Sequence, residues 1–392
     1  MLGLSVLLSA TLLSGAVHRD AAAANAIPAW ARRYNVSCSH CHLGANPTLN
    51  ATGIRFRWAG YRMPDDIGQN EDTKRVADYL AARAKFRYTY AKVSGEDATD
   101  DGFALDETNL YIGGSFAKNF GTFIEFTGDA EGFNAEIVSI VTIWGNEKSS
   151  HGLRFGQQNA YFQAGVAGFD RPISLSAPLA LEGPVSVTSE FALSGTPDGI
   201  EGFLVTGSNR IALSVYTSQF AGTTAKDIGL NDQFLLDDKG SAIEVLGYYG
   251  TQTGLDPIDP TLNSHVWRLG ITANKVIGGP DRNLMVLGSY VYGNDVDLPV
   301  PPFPSSTNTG YAYWFSAQYL FPKPTLTLFG RYEFLDPSTT TTDDGLGRFV
   351  FGGALPIDQL QYLKLTAEYV NDSPQGTDPN SSAFVLEAQL AL

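Results

Sequence analysis

Both cysteines of the 392-residue chain stand close together, at Cys38 and Cys41, and His42 follows the second directly. Two thiols separated by two residues and followed by histidine form the attachment signature of a c-type haem. Each thiol can bond to one vinyl group of the porphyrin, and the adjacent imidazole then falls beneath the iron as the proximal ligand. One covalent haem c is therefore expected, anchored by Cys38 and Cys41 and ligated by His42. Two other chemistries compete for these residues. A structural zinc site needs two further Cys or His ligands at partner spacing, and His18, His151 and His265 are isolated. A redox dithiol wants a βαβ setting, and the chain that follows is of a different kind.

Apart from the initiator the chain has two methionines, Met63 and Met285. Met63 is near enough in sequence to fold back over the motif as a distal ligand, where a Met/His pair would raise the reduction potential. Ordinary packing is its alternative role, and five-coordinate iron is the alternative for the metal. Arg55, Arg57 and Arg62 match haem propionates, because guanidinium grips carboxylate bidentately; bridges from this segment to acidic residues elsewhere would use them equally well. Acidic pairs such as Glu96-Asp97, Asp100-Asp101, Asp237-Asp238, Asp256 with Asp259, Asp295 with Asp297, and Asp343-Asp344 would concentrate cations around them. No nucleophile–base constellation or phosphate loop is present, so no catalytic residue is expected beyond the haem.

These residues must be positioned by something, and the chain divides into unlike parts. Residues 1–26 read as a signal peptide, a short apolar run ending in Ala24-Asn25-Ala26. Residues 27–83 carry eight Lys/Arg against five Asp/Glu and form the motif-bearing segment. Within it Phe56, Trp58 and Tyr61 could wall a porphyrin, and Val76, Tyr79 and Leu80 predict a helix over 73–85 capped by Asp72. Residues 84–392 carry seventeen Lys/Arg against thirty-five Asp/Glu, a balance that excludes nucleic acid as a partner and favours docking of the basic segment.

Beyond residue 84 the pattern is alternation with period two, as in Leu326, Leu328, Gly330 and Tyr332 against Thr327, Phe329, Arg331 and Glu333. A soluble sandwich also alternates. Segments of about 10 residues, short turns alternating with long polar loops, and an aromatic-rich last strand point instead to a transmembrane barrel. The fold class expected is all-β: an antiparallel outer-membrane β-barrel of about 16 strands, lipid-contacting outside, with a small N-terminal haem segment in the lumen or on the periplasmic side. The strands expected run from 84–93 to 383–392 and include 184–194, leaving 220–240 as one long connection. The turns at Asn119-Phe120-Gly121, Gly278 to Asp281 and Phe321 to Pro324 fall at the periplasmic end. Residues 94–105, 294–310, 335–346 and 372–382 fall outside.

The stretch from Ile27 through His42, then Leu49-Asn50, Gly53 and Phe56 through Gly60-Tyr61-Arg62, resembles the lead-in of outer-membrane monohaem cytochrome–porin fusions. That family includes the outer-membrane cytochromes of iron-oxidising bacteria. The resemblance covers the first 60 mature residues closely and the barrel only in texture. It implies a sixteen-stranded barrel with one haem plugging or lining its lumen, passing electrons between extracellular Fe(II) and a periplasmic cytochrome or copper protein. The competing class is transport, a solute porin with a structural or sensory haem cap. Leu153 to Gln157 and Arg171-Pro172 suggest phosphate porins, but an acidic barrel disfavours anions.

Overall fold

The computed structural model describes residues 28–43, 48–70, 75–96, 99–128, 132–157, 174–182, 197–217, 226–253, 263–279, 282–298, 306–322, 325–339, 342–357, 363–376 and 378–392. The expected signal peptide lies outside the described residues, as does the expected strand 184–194. Two short helices come first, α1 (Pro28–Tyr34) and α2 (Ala51–Trp58). The strands that follow are β1 (Leu80–Val93), β2 (Thr99–Ala117), β3 (Phe120–Gly128), β4 (Phe133–Gly145) and β5 (Ser149–Gln157). After a one-turn helix α3 (Leu179–Glu182) come β6 (Asp198–Thr206), β7 (Asn209–Thr217), β8 (Lys226–Leu235) and β9 (Ala242–Thr253). Next are β10 (Asn263–Gly278), β11 (Asn283–Leu298) and β12 (Ser306–Pro322). Last come β13 (Thr325–Asp336), β14 (Leu346–Pro356), β15 (Leu363–Pro374) and β16 (Ser381–Ala391).

Each strand runs antiparallel to its neighbour in sequence, and β16 returns to β1 from Arg83↔Ala391 to Val93↔Ser381, closing a sixteen-stranded barrel. Closure removes every free sheet edge, so all ladder groups find partners without water. No helix among the described residues is long and apolar enough to cross a membrane, and a barrel of this kind requires none. Side chains alternate as a lipid-facing wall demands. On β8, Ile228, Leu230 and Phe234 are exposed outside while Asp227, Asn231 and Gln233 are buried inside.

Two expectations are corrected by these elements. The described residues 75–85 are not a helix: Val76–Asp78 form a single 3₁₀ turn, and β1 begins at Leu80 rather than at residue 84, while the expected cap Asp72 lies outside the described residues. The helical spacing of Val76, Tyr79 and Leu80 loses to ring closure, because this segment pairs with both β2 and β16. Residues 220–240 are not one long connection, since β8 runs through Lys226–Leu235 in their midst. Asp232 stands among its outward positions and its inward face is polar, which made β8 resemble a loop.

The short turns 118–119, 146–148, 207–208, 236–241 and 279–282 all lie at one end of the barrel, with Tyr79 and Leu392. The segment before β1 is a plug seated inside this end. Here the inward wall switches from polar to apolar: Val141, Ile143, Phe203, Val205, Ala212, Leu235 and Ala242 are buried with Ile54, Phe56 and Trp58 of α2. Burying such side chains stabilises the plug by roughly 1.5–3 kcal/mol each. Gly60 and Gly121 make the tightest approach. A Cβ on Gly121 would fall 2.0 Å from the Gly60 carbonyl oxygen, so backbone meets backbone there. The chain passes this point with Gly60 and Tyr61 both at positive φ, 69° and 65°. That conformation is unusual for an aromatic residue; Tyr61 is held in it by burial and by its hydroxyl against Ser139 Oγ at 3.1 Å.

Candidate functional site

The plug presents the Cys38-Ser39-His40-Cys41-His42 motif on a braced turn between two helices. Helix α1 anchors one side: Arg32 donates to the carbonyls of Ala77 (2.8 Å) and Leu80 (2.7 Å), and Arg33 to Ser115 O (2.8 Å) and Oγ (2.9 Å). Trp30 of α1 packs its ring 5.0 Å from Phe56 and 5.7 Å from both Tyr61 and Phe123, tying the plug to β3. Phe56, Trp58 and Tyr61 are thus the junction between plug and barrel. Trp58 Nε1 donates to Gln233 Oε1 of β8 at 2.6 Å.

Cys38 to His40 form a 3₁₀ turn, with the His40 amide donating to Ser37 O at 3.1 Å. His42 and Leu49 then pair as an isolated bridge, and the Leu43 amide donates to Thr48 O at 2.9 Å, making a small hairpin. Asn50 organises the whole arrangement. Its amide nitrogen donates to the carbonyls of Ser39 (3.2 Å) and His40 (3.0 Å), its Oδ1 caps α2 at the Gly53 amide (3.1 Å), and its backbone N–H reaches Cys41 O (2.9 Å). Gly53 permits this closeness, because a Cβ there would lie 2.3 Å from Cys41 O. Ser39 and His40 are exposed, while Cys41 and His42 are half-buried. Burial pushes the Cys41 thiol up to about 11, opposite in direction to the lowered values of reactive dithiols.

The other candidate residues are spread along the plug. Arg55 pairs with Asp238 of the 236–241 turn at 3.0 Å, an exposed contact of the kind that adds little stability. Arg57 is half-buried on α2, within electrostatic reach of Arg210. Arg62 is fully buried and donates to the carbonyls of Ala117 (3.3 Å) and Lys118 (2.6 Å), holding the β2–β3 turn. Met63 is half-buried against the cluster of Trp58, Tyr61, Val141 and Ile143. Leu43 instead belongs to a second buried cluster, with Leu179, Ala180 and Trp314.

Among the acidic pairs, Asp237-Asp238 lie at the plug end of the barrel, where Asp237 accepts from Lys275 Nζ at 2.9 Å. Asp295 is buried in the lumen against Arg268 at 2.6 Å. Asp97, Asp256, Asp259 and the Arg171-Pro172 pair lie outside the described residues. Lumen charges are matched: Arg83 with Glu107 (2.7 Å), Arg87 with Glu387 (2.8 Å), and Arg348 with Asp372 (2.7 Å). Arg154 lies 3.7 Å from the Glu201 carboxylate, which also pairs with Arg210.

One constellation was not anticipated. Residues 174–180, between β5 and β6 in the chain, lie inside the barrel and reach strands on the far side of the ring. Arg331 of β13 donates to Ser174 Oγ, to Ser176 O (3.0 Å) and to Ala177 O (3.1 Å). Glu368 of β15 accepts from the amides of Leu175 (2.6 Å) and Ser176 (3.0 Å), and Glu333 of β13 from that of Leu179 (2.7 Å). In sequence these are ordinary inward positions of alternating strands, and nothing local marks their partner.

No protein-family profile matches the chain, and no curated protein sequence matches it. Its fold is that of outer-membrane barrels. It is similar to OmpT of Vibrio cholerae in its trimer form, at TM-score 0.55 and 12% identity, covering 80% of this chain and 99% of that one. An anion-selective porin from Comamonas acidovorans superposes at TM-score 0.58 and 9% identity, covering 80% and 98%. OprB of Pseudomonas putida gives TM-score 0.58 and 7% identity, covering 80% and 94%. Each match leaves about a fifth of the present chain uncovered.

Proposed function

We propose that this protein is an outer-membrane barrel whose periplasmic mouth is stoppered by a c-type haem plug, and that it passes single electrons across the membrane. The observation that carries this reading is the placement of Cys38-Ser39-His40-Cys41-His42 on a braced turn of a plug with a dedicated apolar seat. The donor set fits the group: two thiols and an imidazole on one tight turn, with Gly53 and Asn50 holding its carbonyls. Cys38 and Cys41 would carry the thioethers and His42 would ligate the iron. When bound, haem supplies a one-electron couple whose potential the surrounding protein sets.

The chain's own residues do the rest. Arg32, Arg33 and Arg62 fix the plug to the wall, so that the motif keeps one position with Cys41 and His42 half-buried. Lipid contact on the outward apolar band follows from the barrel fold, and the short-turn end would face the periplasm. Acidic residues such as Asp100, Asp101 and Asp343 at the long-loop end would draw cations, Fe(II) among them, toward that mouth. A periplasmic cytochrome or copper protein would meet the plug.

A second reading, solute diffusion with the plug as a structural or sensory cap, is favoured by the likeness to porins and by the inward loop. One experiment separates the two. The detergent-purified protein is followed by visible absorption while Fe(II) is added, and its conductance is measured in planar bilayers. Rapid reduction of a haem band with little conductance supports electron transfer. A colourless protein overturns it, as does a haem that ignores Fe(II) in a barrel freely permeable to small solutes.

A further inference from the structure

The inward segment and the motif hairpin converge on one patch of wall. Leu179 and Ala180 of α3 share a buried cluster with Leu43, the residue directly after His42, and with Trp314 of β12. Thr48, at the other end of the same hairpin, is 1% exposed and donates through Oγ1 to Gln318 of β12 at 3.1 Å. Helix α3 touches the same strand and its neighbour β13. The motif segment, through Leu43 and Thr48, and helix α3 therefore sit against the same part of the wall, β12 and β13.

We infer that residues 174–180 form a roof over the motif hairpin, and that Arg331 is the positioning residue that keeps this roof shut. The planar guanidinium engages Ser174, Ser176 and Ala177 at once while its Nε is held by Glu333 at 2.9 Å. Glu368 receives two successive amides beside it. Such a fork orders three residues of an otherwise irregular segment. With the roof in place, hydrated solutes entering from the long-loop mouth meet the packed apolar side chains around Leu179 and Trp314 before the motif. The geometric half of this inference stands alone, and its bearing on a redox centre rests on the proposed function.

The test uses full-length protein in detergent carrying Arg331→Ala, with Glu368→Gln as a second variant that preserves side-chain volume. Hydrogen exchange is followed in the peptide spanning His42 to Asn50, conductance in planar bilayers, and haem content by visible absorption. The expected result is exchange at the Leu43 amide at least tenfold faster in Arg331→Ala, smaller acceleration in Glu368→Gln, higher conductance, and unchanged exchange in α1 and β1. Unchanged exchange at Leu43 in both variants overturns the roof. Acceleration spread equally over α1 and β1 also overturns it, since the effect would then be general loosening. Absence of a haem band with local acceleration intact refutes the electron-transfer reading and leaves the roof standing.

Discussion

Trp58 offers the sharpest measurement of how the plug is held. It is 3% exposed on α2, surrounded by barrel residues, with its indole N–H on Gln233. An indole buries roughly 200 Å², and at about 25 cal/mol per Å² that is about 5 kcal/mol. Measured Trp→Ala losses of about 3–5 kcal/mol agree with this. Trp58→Ala should therefore raise the unseated population of the plug by roughly two to three and a half powers of ten, at one power per 1.4 kcal/mol. Trp58→Phe keeps most of the area and forfeits the hydrogen bond, about 1 kcal/mol, or roughly fivefold. Neither change touches the strand ladders, so the barrel should persist. Limited proteolysis reads the open population when reclosing is fast; cleavage within residues 28–79 should accelerate in that order while the barrel fragment survives. Equal cleavage of Trp58→Ala and the parent would refute the claim that the apolar seat holds the plug. Equal sensitivity of the Phe and Ala variants would refute the area argument.

Gly53→Ala places a methyl against the Cys41 carbonyl, so the motif turn must shift; overpacking of this kind costs about 1–3 kcal/mol. Covalent haem per folded barrel, read by haem staining, should fall severalfold. Met63→Ala should leave the visible spectrum of the haem-loaded protein unchanged, because Met63 packs against the cluster of Trp58 and Tyr61 while Leu43, next to His42, belongs to a different buried cluster; loss of a low-spin band would reverse that. Asp344, in the loop from β13 to β14, is pushed up to about 6 by burial and by the neighbouring Asp336, and neither of its oxygens has a hydrogen-bond partner. A raised carboxyl favours the folded loop while protonated. Loop protection in hydrogen exchange should be greatest in acid and fall as pH rises through about 6, and Asp344→Asn should flatten that dependence.

Where an element's partner is its immediate neighbour in the chain, its character could be read from sequence. The alternation of Leu326 to Tyr332 predicts β13, and the turn at Asn119 predicts the β2–β3 hairpin, because both are local statements about facing. β8 was missed because a lumen is itself polar, so Asp227, Asn231 and Gln233 look like loop residues until a wall is drawn through them. The start of β1 was misread because its pairing partner β16 is some three hundred residues away. Asn50 and Gly53 stood in the sequence only as part of a resemblance; the physical reason for them, the strapping and close approach of the motif carbonyls, needs coordinates. The Arg331 and Glu368 clamp was illegible for the same reason, since both ends of each contact belong to distant parts of the chain.

The apolar belt on the inner wall, formed by Val141, Ile143, Phe203, Val205, Leu235 and Ala242, makes the stopper a condition of the barrel's solubility. A barrel closed without its stopper would present greasy surface on both sides of the same strands and would stick to its own kind. The stopper lies upstream of β1, and β1 is sealed only when β16 arrives. The N-terminal segment covers that belt, so a chain lacking it should give less folded barrel and more aggregate than the full chain.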